Sequence, residues 1–454
     1  MKAILNNSFS KKEKLPALTE NTFWRYFNFI ALYIAQGIPE GMLFYGLPAW
    51  MAMHGKTPGE IGGLVAMAAL PWSFKIIVAP LMDRYSFLPM GRRRPWVLFG
   101  QFGLVCTFAG MSMIPDPLNH LNWLMWAVFV VSSFGALQDV ATDGMAVDVI
   151  PVSQQARANG LMWGAKIAGI SASLAIGTWL LNNYGFQYAI LSLSTIIGLI
   201  MLVPLFLKER PGEKVVPWTK GCIAAENNLL QSASWIGLLK SLGKVFLLKN
   251  SLLLATVGFV AMISFNYLDT LLPVFTVQAL GWTNETYAQQ YASASLTGGI
   301  GGMLIGGILI DRFGKRRMMK IYFFAMIVSN IVFVLMNKYW QSNLFITGFM
   351  VAYQVLYVFF TIGFFAAAMQ CCWKKVSATQ FTLYMALSNL GRAVGAALLG
   401  PMKKNYSWEY AILAFSVILA IAWLILTFIN FNKQHKQVSV LNDEELLKNT
   451  PAFH

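Results

Sequence analysis

Long apolar runs recur along the whole chain, separated by short polar or basic segments. A helix needs about 20 mostly apolar residues to span a bilayer. Twelve such runs can be drawn, near residues 23–50, 58–82, 95–114, 121–150, 153–183, 186–207, 251–280, 285–311, 318–337, 342–373, 376–402 and 407–431. The pattern predicts an all-α integral membrane protein of twelve transmembrane helices in two six-helix halves. The halves are expected at 23–207 and 251–431, with tails at 1–22 and 432–454 and a linker at 208–250. Several runs exceed 25 residues, which calls for tilt or kinks. Pro39, Pro48, Pro71 and Pro273 are the expected kinking residues. In the linker, "AENNLLQSASWIGLLKSLGKVFLLKN" reads as an amphipathic segment at the membrane interface or a partner-binding helix.

Composition agrees. The chain is 57% hydrophobic and 12% charged, against roughly 25% charged in soluble domains. A net charge of +15 on a soluble protein would suggest nucleic acid. Here the placement of the charges argues for a bilayer and no nucleic acid. Of 34 lysines and arginines, 27 fall in segments on one side of the predicted helices and four on the other. The remaining three, Lys75, Lys166 and Arg392, lie inside apolar runs. The bias predicts that both termini and the linker are cytoplasmic. The N-terminus lacks a short apolar core followed by a cleavage site, so the first run is expected to be retained.

Four cysteines form no CxxC pair and no disulfide framework, and the four histidines lie outside the deep segments. No metal site, cofactor or histidine relay is expected, and any buried proton carrier should be a carboxylate. No nucleophile–base pair supports an enzyme.

The ionisable residues inside the runs are therefore the candidate site: Glu40, Lys75, Asp139, Asp143, Lys166, Asp269 and Arg392. Such residues should face a cavity or one another. Asp139 and Asp143 are i,i+4 and share a helix face. Counting from the turn at Pro151 places Asp139 and Lys166 at similar depth, so an Asp139–Lys166 or Asp143–Lys166 pair is reachable. These charges could carry protons, or merely stitch two helices together. Lys75 lies eight residues before Asp83 and could snorkel to the cytoplasm. Asp148, at the end of the same run, is expected to pair with Arg157, Arg84 or the Arg92–Arg94 cluster as a latch. Gln36, Gln138, Asn266 and Gln354 could bind hydroxyls or tie helices. Aromatic residues such as Tyr33, Phe44, Tyr45, Trp50, Trp163, Phe265 and Tyr267 could stack on sugar rings.

The halves repeat. "PLMDRYSFLPMGRRRPW" (80–96) and "GILIDRFGKRRMM" (307–319) both carry Asp-Arg-aromatic, then Gly, then a basic cluster. A shift of 229 places Glu40 on Asp269, and a shift of 226 places Lys166 on Arg392, with "AKIAG" matching "GRAVG". Each half thus carries one acid on its first helix and one cation on its fifth. A parallel repeat of six helices is a transporter signature.

The two DR…G(K/R)RR loops in a six-plus-six topology resemble the major facilitator superfamily. "KIIVAPLMDRY…GRRRPWVLFGQ" (75–101), "LQDVATDGMAVDVIP" (137–151) and "SATQFTLYMALSNLGRAVG" (377–395) resemble its muropeptide permease (AmpG-type) and acetyl-CoA transporter group. The resemblance implies a proton-coupled importer of cell-wall muropeptides, an anionic glycan-peptide, in a bacterial inner membrane, powered by the proton gradient; nothing in the sequence demands an oligomer, and a monomer is expected. It implies gating by Asp83, Arg84, Arg92, Arg93, Asp148, Arg157, Asp311, Arg312, Arg316 and Arg317. With the repeat, it points to proton coupling at Asp139, Asp143, Glu40 and Asp269. The expected solute-binding set is Lys166, Arg392, Lys75, Glu40, Gln138, Asn266, Tyr45 and Trp163. Another solute, such as a siderophore, sugar conjugate or CoA-type nucleotide, and a non-translocating receptor or scaffold remain the alternatives.

Overall fold

A computed structural model describes residues 16–223, 235–373 and 376–449. Its twelve long helices are labelled in chain order. Helix α1 comprises Thr22–Gly41, a π-helical turn Met42–Gly46 and Leu47–Met53. Helix α2 comprises Pro58–Ala69, a 3₁₀ segment Leu70–Phe74 and Lys75–Arg84. Then follow α3 (Arg94–Met111), α4 (Leu121–Val149), α5 (Val152–Tyr184) and α6 (Phe186–Phe206). After the linker come α7 (Lys249–Gln278) and α8 (Asn284–Gly301, π turn Gly302–Gly306, Gly307–Phe313). Helices α9 (Lys315–Leu335), α10 (Asn343–Cys371), α11 (Ser377–Asn405) and α12 (Trp408–Thr427) complete the set. No strand occurs among the described residues.

Among the described residues, eight helices are long and apolar enough to cross a bilayer by length and composition: α2, α4 to α7, α9, α10 and α12. The other four explain themselves. Helices α1 and α8 are broken by π turns, α3 opens on a fully buried Arg94, and α11 carries Gln380, Asn389 and Arg392. Polar or broken helix survives at membrane depth only where protein covers it. Every residue of α1 from Ala35 to Gly41 is accordingly buried.

Pro71 sits in the 3₁₀ break of α2, and the π turn of α1 lies between Pro39 and Pro48. Pro273 leaves α7 continuous, and the π turn of α8 has no proline.

Apolar side chains gain little from leaving lipid, so close backbone packing holds such helices together. A Cβ added to Gly169 of α5 would stand 2.6 Å from the Ile34 carbonyl oxygen of α1. One added to Gly395 of α11 would stand 2.2 Å from the Ile263 carbonyl oxygen of α7. The offsets are again 226 and 229 residues, so the sequence repeat is also a packing repeat.

The halves meet at the end opposite the Arg92–Arg94 loop, here called the far end. Gln278 donates to the carbonyls of Ala52 (3.3 Å) and Lys56 (2.7 Å). The amides of Asn182 and Asn284 bond reciprocally at 3.0 and 2.9 Å. A Cβ on Gly400 would lie 2.7 Å from Gly59 Cα. Beside these contacts, a cleft of about 530 Å³ is lined by Met53, Lys56, Gln278 and Trp282 among others.

At the basic end, the linker helix Trp235–Phe246 and the tail helix Phe431–Asn449 share a small core. Val245 packs with Trp373, Val376 and Val438. Val245 of the linker helix is thus covered by the tail helix and the α10–α11 loop, and residues 224–234 of the amphipathic segment lie outside the described residues.

Candidate functional site

In the N-terminal half, the 3₁₀ break of α2 brings Trp72 and Lys75 to the centre. Lys75 pairs with Asp139 of α4, and Gln36 of α1 donates to the same carboxylate. One helical turn on, the Tyr33 hydroxyl donates to Asp143. Lys166 Nζ of α5 lies 2.7 Å from Glu40 of α1. The Trp72 ring stands between the two cations, 4.6 Å from Lys75 and 5.0 Å from Lys166. A void of about 10 Å³, room for one water, is lined by Gln36, Glu40, Phe44, Trp72 and Ser132, among others.

This corrects the expected pairing of Lys166 with Asp139 or Asp143. The glycine seam lays α5 along α1, with Gly37 against the Lys166 carbonyl. Lys166 therefore meets the α1 acid, while α4 turns its acids to α1 and α2. Lys75 does not snorkel, because a carboxylate is available at depth and the side chain is buried.

In the C-terminal half, Asp269 of α7 accepts the Tyr291 hydroxyl of α8 at 2.8 Å. Tyr45 of α1 lies against Tyr291, ring centroids 4.6 Å apart. The Arg392 guanidinium of α11 lies over Phe44 of α1 at 4.5 Å. Asn266 donates to the Arg392 carbonyl at 2.8 Å. Gln138 bonds to Thr142 at 3.0 Å on its own helix. Asn266 and Gln138 thus tie backbone and neighbours. Trp163 is half exposed, with its ring 5.6 Å from Lys166 Nζ and 6.0 Å from Phe365 of α10.

At the basic end, Asp148 pairs with Arg92 (3.2 Å) and Arg93 (3.3 Å). Arg157 instead covers Tyr26, and Arg84 covers Tyr85. Arg312 covers Phe313, Arg316 donates to the Thr427 carbonyl, and Arg317 is exposed. The side chains of Asp83 and Asp311 lie outside the described residues.

Sequence reasoning missed Glu209. Its carboxylate accepts the backbone N–H groups of Arg92 (2.9 Å), Arg93 (2.7 Å) and Arg94 at the start of α3. An anion satisfies the orphan donors of a helix N-terminus. Burial pushes the Glu209 carboxyl up from its ordinary value, partly offset by those bonds. Arg94 donates to the carbonyls of Pro204 (2.8 Å), Lys214 (2.9 Å) and Val215 (2.8 Å), fastening the linker beneath α3 and α6. Trp72 and Tyr291 were missed as well, since neither is charged. The nearness of Trp72 to Pro71 and Lys75 was the available signal.

Twelve helices in two repeated halves, with ionisable groups buried from both, define a membrane transporter. The chain belongs to the Major Facilitator Superfamily, whose sequence profile matches residues 29–396. Among curated relatives, it is 26% identical over 402 residues to the anhydromuropeptide permease of Escherichia coli (strain K12), covering 88% of this chain and 78% of the relative. It is 24% identical over 430 residues to the protein named as transporter AmpG 4 of Rickettsia conorii, covering 90% and 97%. The fold is similar to the crystal structure of a D-xylose-proton symporter (TM-score 0.70, 12% identity, covering 90% of this chain and 98% of that one). It is also similar to that of the nucleoside transporter NupG (TM-score 0.66, 12% identity, covering 89% and 99%).

Proposed function

We propose that this chain is a proton-coupled secondary transporter that imports an anionic solute by alternating access, with cell-wall anhydro-muropeptides as the solute class. The observation that carries the reading is the mixed charge at the interface of the halves. Three cations and four carboxylates stand at membrane depth, and Arg392 makes no ion pair among the described residues. Intramembrane charge of this kind marks solute and proton paths. The name of the E. coli relative supports the muropeptide assignment. Aromatic rings at the same depth, Phe44, Tyr45, Trp72 and Trp163, suit sugar rings. The basic bias of one end supports both described ends of the chain being cytoplasmic, and the bacterial relatives support a bacterial inner membrane. The proton gradient supplies the energy, and the chain works as a monomer.

The central void beside Glu40 and Trp72 has room for about one water, so a glycan-peptide enters only when the halves part. The far-end contacts of Gln278 and the Asn182–Asn284 pair close the outer path. The Asp148–Arg92–Arg93 cluster ties α4 to the α2–α3 loop within the N-terminal half at the cytoplasmic end.

The test is uptake of labelled anhydro-muropeptide into proteoliposomes. An imposed proton gradient should drive accumulation above the outside concentration, and a protonophore should abolish it. Binding without accumulation would overturn the reading and favour a receptor.

A further inference from the structure

In the N-terminal half, the acid of the first helix and the cation of the fifth are joined, with Lys166 2.7 Å from Glu40. The repeat-related pair in the C-terminal half is Asp269 and Arg392, and these two are parted. Asp269 accepts Tyr291 at 2.8 Å instead. Arg392 lies on Phe44 and makes no ion pair among the described residues. Glu40 acts on Arg392 more strongly than Asp269 does, and neither carboxylate closes an ion pair with it among the described residues. A buried guanidinium without a carboxylate is costly unless an anion joins it. A symmetric fold therefore holds one closed pair and one open pair.

We propose that Asp269 and Arg392 are the coupling switch: Asp269 takes the proton and Arg392 takes the solute's carboxylate. Glu40–Lys166 and Lys75–Asp139 stay closed as fixed pairs. This rests on the reading of the chain as a proton-coupled importer of an anionic solute. Ionised Asp269 is the ready partner of Arg392 and, once closed on it, shuts out a competing carboxylate. A proton arriving from the outside water on a carboxylate oxygen makes Asp269 neutral and leaves it with Tyr291. Arg392 keeps its charge and presents its planar fork to the solute carboxylate. One proton and one carboxylate enter together, so the net charge of the site is unchanged. On the inner side the proton returns to water, Asp269 reclaims Arg392, and the solute is displaced.

The titratable groups facing Asp269 are Tyr45 from α1, Tyr287 and Tyr291 from α8, Tyr353 and Tyr357 from α10, and Arg392 from α11. Phenols are un-ionised at neutral pH, which leaves Arg392 as the charged neighbour of the acid. Asp143, bonded to Tyr33, is the rival proton site.

Two measurements decide between them. In proteoliposomes, D269N should equilibrate labelled anhydro-muropeptide and support counterflow but lose accumulation, while D269E restores it. R392Q should weaken apparent affinity for the muropeptide about tenfold or more, with no loss for its carboxyl-amidated analogue. Gradient-driven accumulation retained in D269N would overturn the switch. The second measurement needs no solute: pH-difference infrared spectra of the purified protein. D269N should remove a protonated-carboxyl band that D139N and D143N retain. A band indifferent to D269N would equally overturn the proposal. If the wild type does not accumulate muropeptide, the solute assignment falls, and the infrared result still decides the proton site.

Discussion

At the scale of single residues, the charges are arranged by what each can pair with. Lys75 and Asp139 neutralise each other in a buried setting, where losing one partner strands the other. K75A should destabilise the protein by about 3–5 kcal/mol, and K75A/D139A by much less than the sum of the two single changes. Thermal unfolding in detergent checks this, and simple additivity would count against the pair. Glu209 gives a pH prediction with a definite sign. Its carboxyl is raised in the folded state, so its favourable contribution is present below the unfolded value and is lost as pH rises through the folded one. E209Q should flatten the fall in melting temperature that sets in as pH rises above the ordinary carboxyl range, about pH 4. The candidate acids and cations were legible in the sequence because charge inside an apolar run is conspicuous. Their partners were not, because depth counted along a helix does not say which neighbour a helix leans on. Lys166 went to Glu40 and not to α4 for that reason.

At the scale of helices, glycine sets the spacing. Gly395 lets α11 touch the backbone of α7, three residues from Arg392. G395A would place a Cβ 2.2 Å from the Ile263 carbonyl oxygen, and neither backbone atom can swing aside. The change should cost about 1–3 kcal/mol, seen as a lower melting temperature, and should displace Arg392 enough to lose uptake. G348A in α10 meets nothing within 4 Å and should be neutral, which controls for helix propensity. The "AKIAG" and "GRAVG" motifs showed the repeat, but only the packing shows that the shared glycine is the seam. Apolar pattern placed the long helices well. It did not disclose the π turns, which insert one extra residue per turn: that of α1 lies between the expected kink residues Pro39 and Pro48, but that of α8 has no proline to announce it. The tail helix at Phe431–Asn449, polar along much of its length, was equally invisible to a search for apolar runs.

At the scale of the whole molecule, two six-helix halves meet across charged and aromatic side chains, and the proposed alternating-access cycle requires them to part at alternate ends. The far-end seal predicts a trap. In a background with Cys106, Cys222, Cys371 and Cys372 replaced, N182C with N284C should be joined by a short bifunctional thiol-reactive reagent. Joining should stop uptake, and cleavage of a reducible reagent should restore it. Uptake unaffected by complete cross-linking would mean that this contact does not open during the cycle.

Apolar run length, the basic bias of one set of loops and the two DR…G(K/R)RR motifs determined a twelve-helix transporter of this superfamily from sequence alone. Those properties are local, and a bilayer imposes the first two on any helical chain that crosses it, while the motifs carry the family. Tertiary structure decided which charges close on one another and which stay open. That depends on helix lean, on glycine seams such as Gly37–Gly169 and on groups brought from afar, such as Tyr291 to Asp269 and Glu209 to the start of α3. No spacing along the chain carries that information, because it resides in how two equivalent halves were packed unequally.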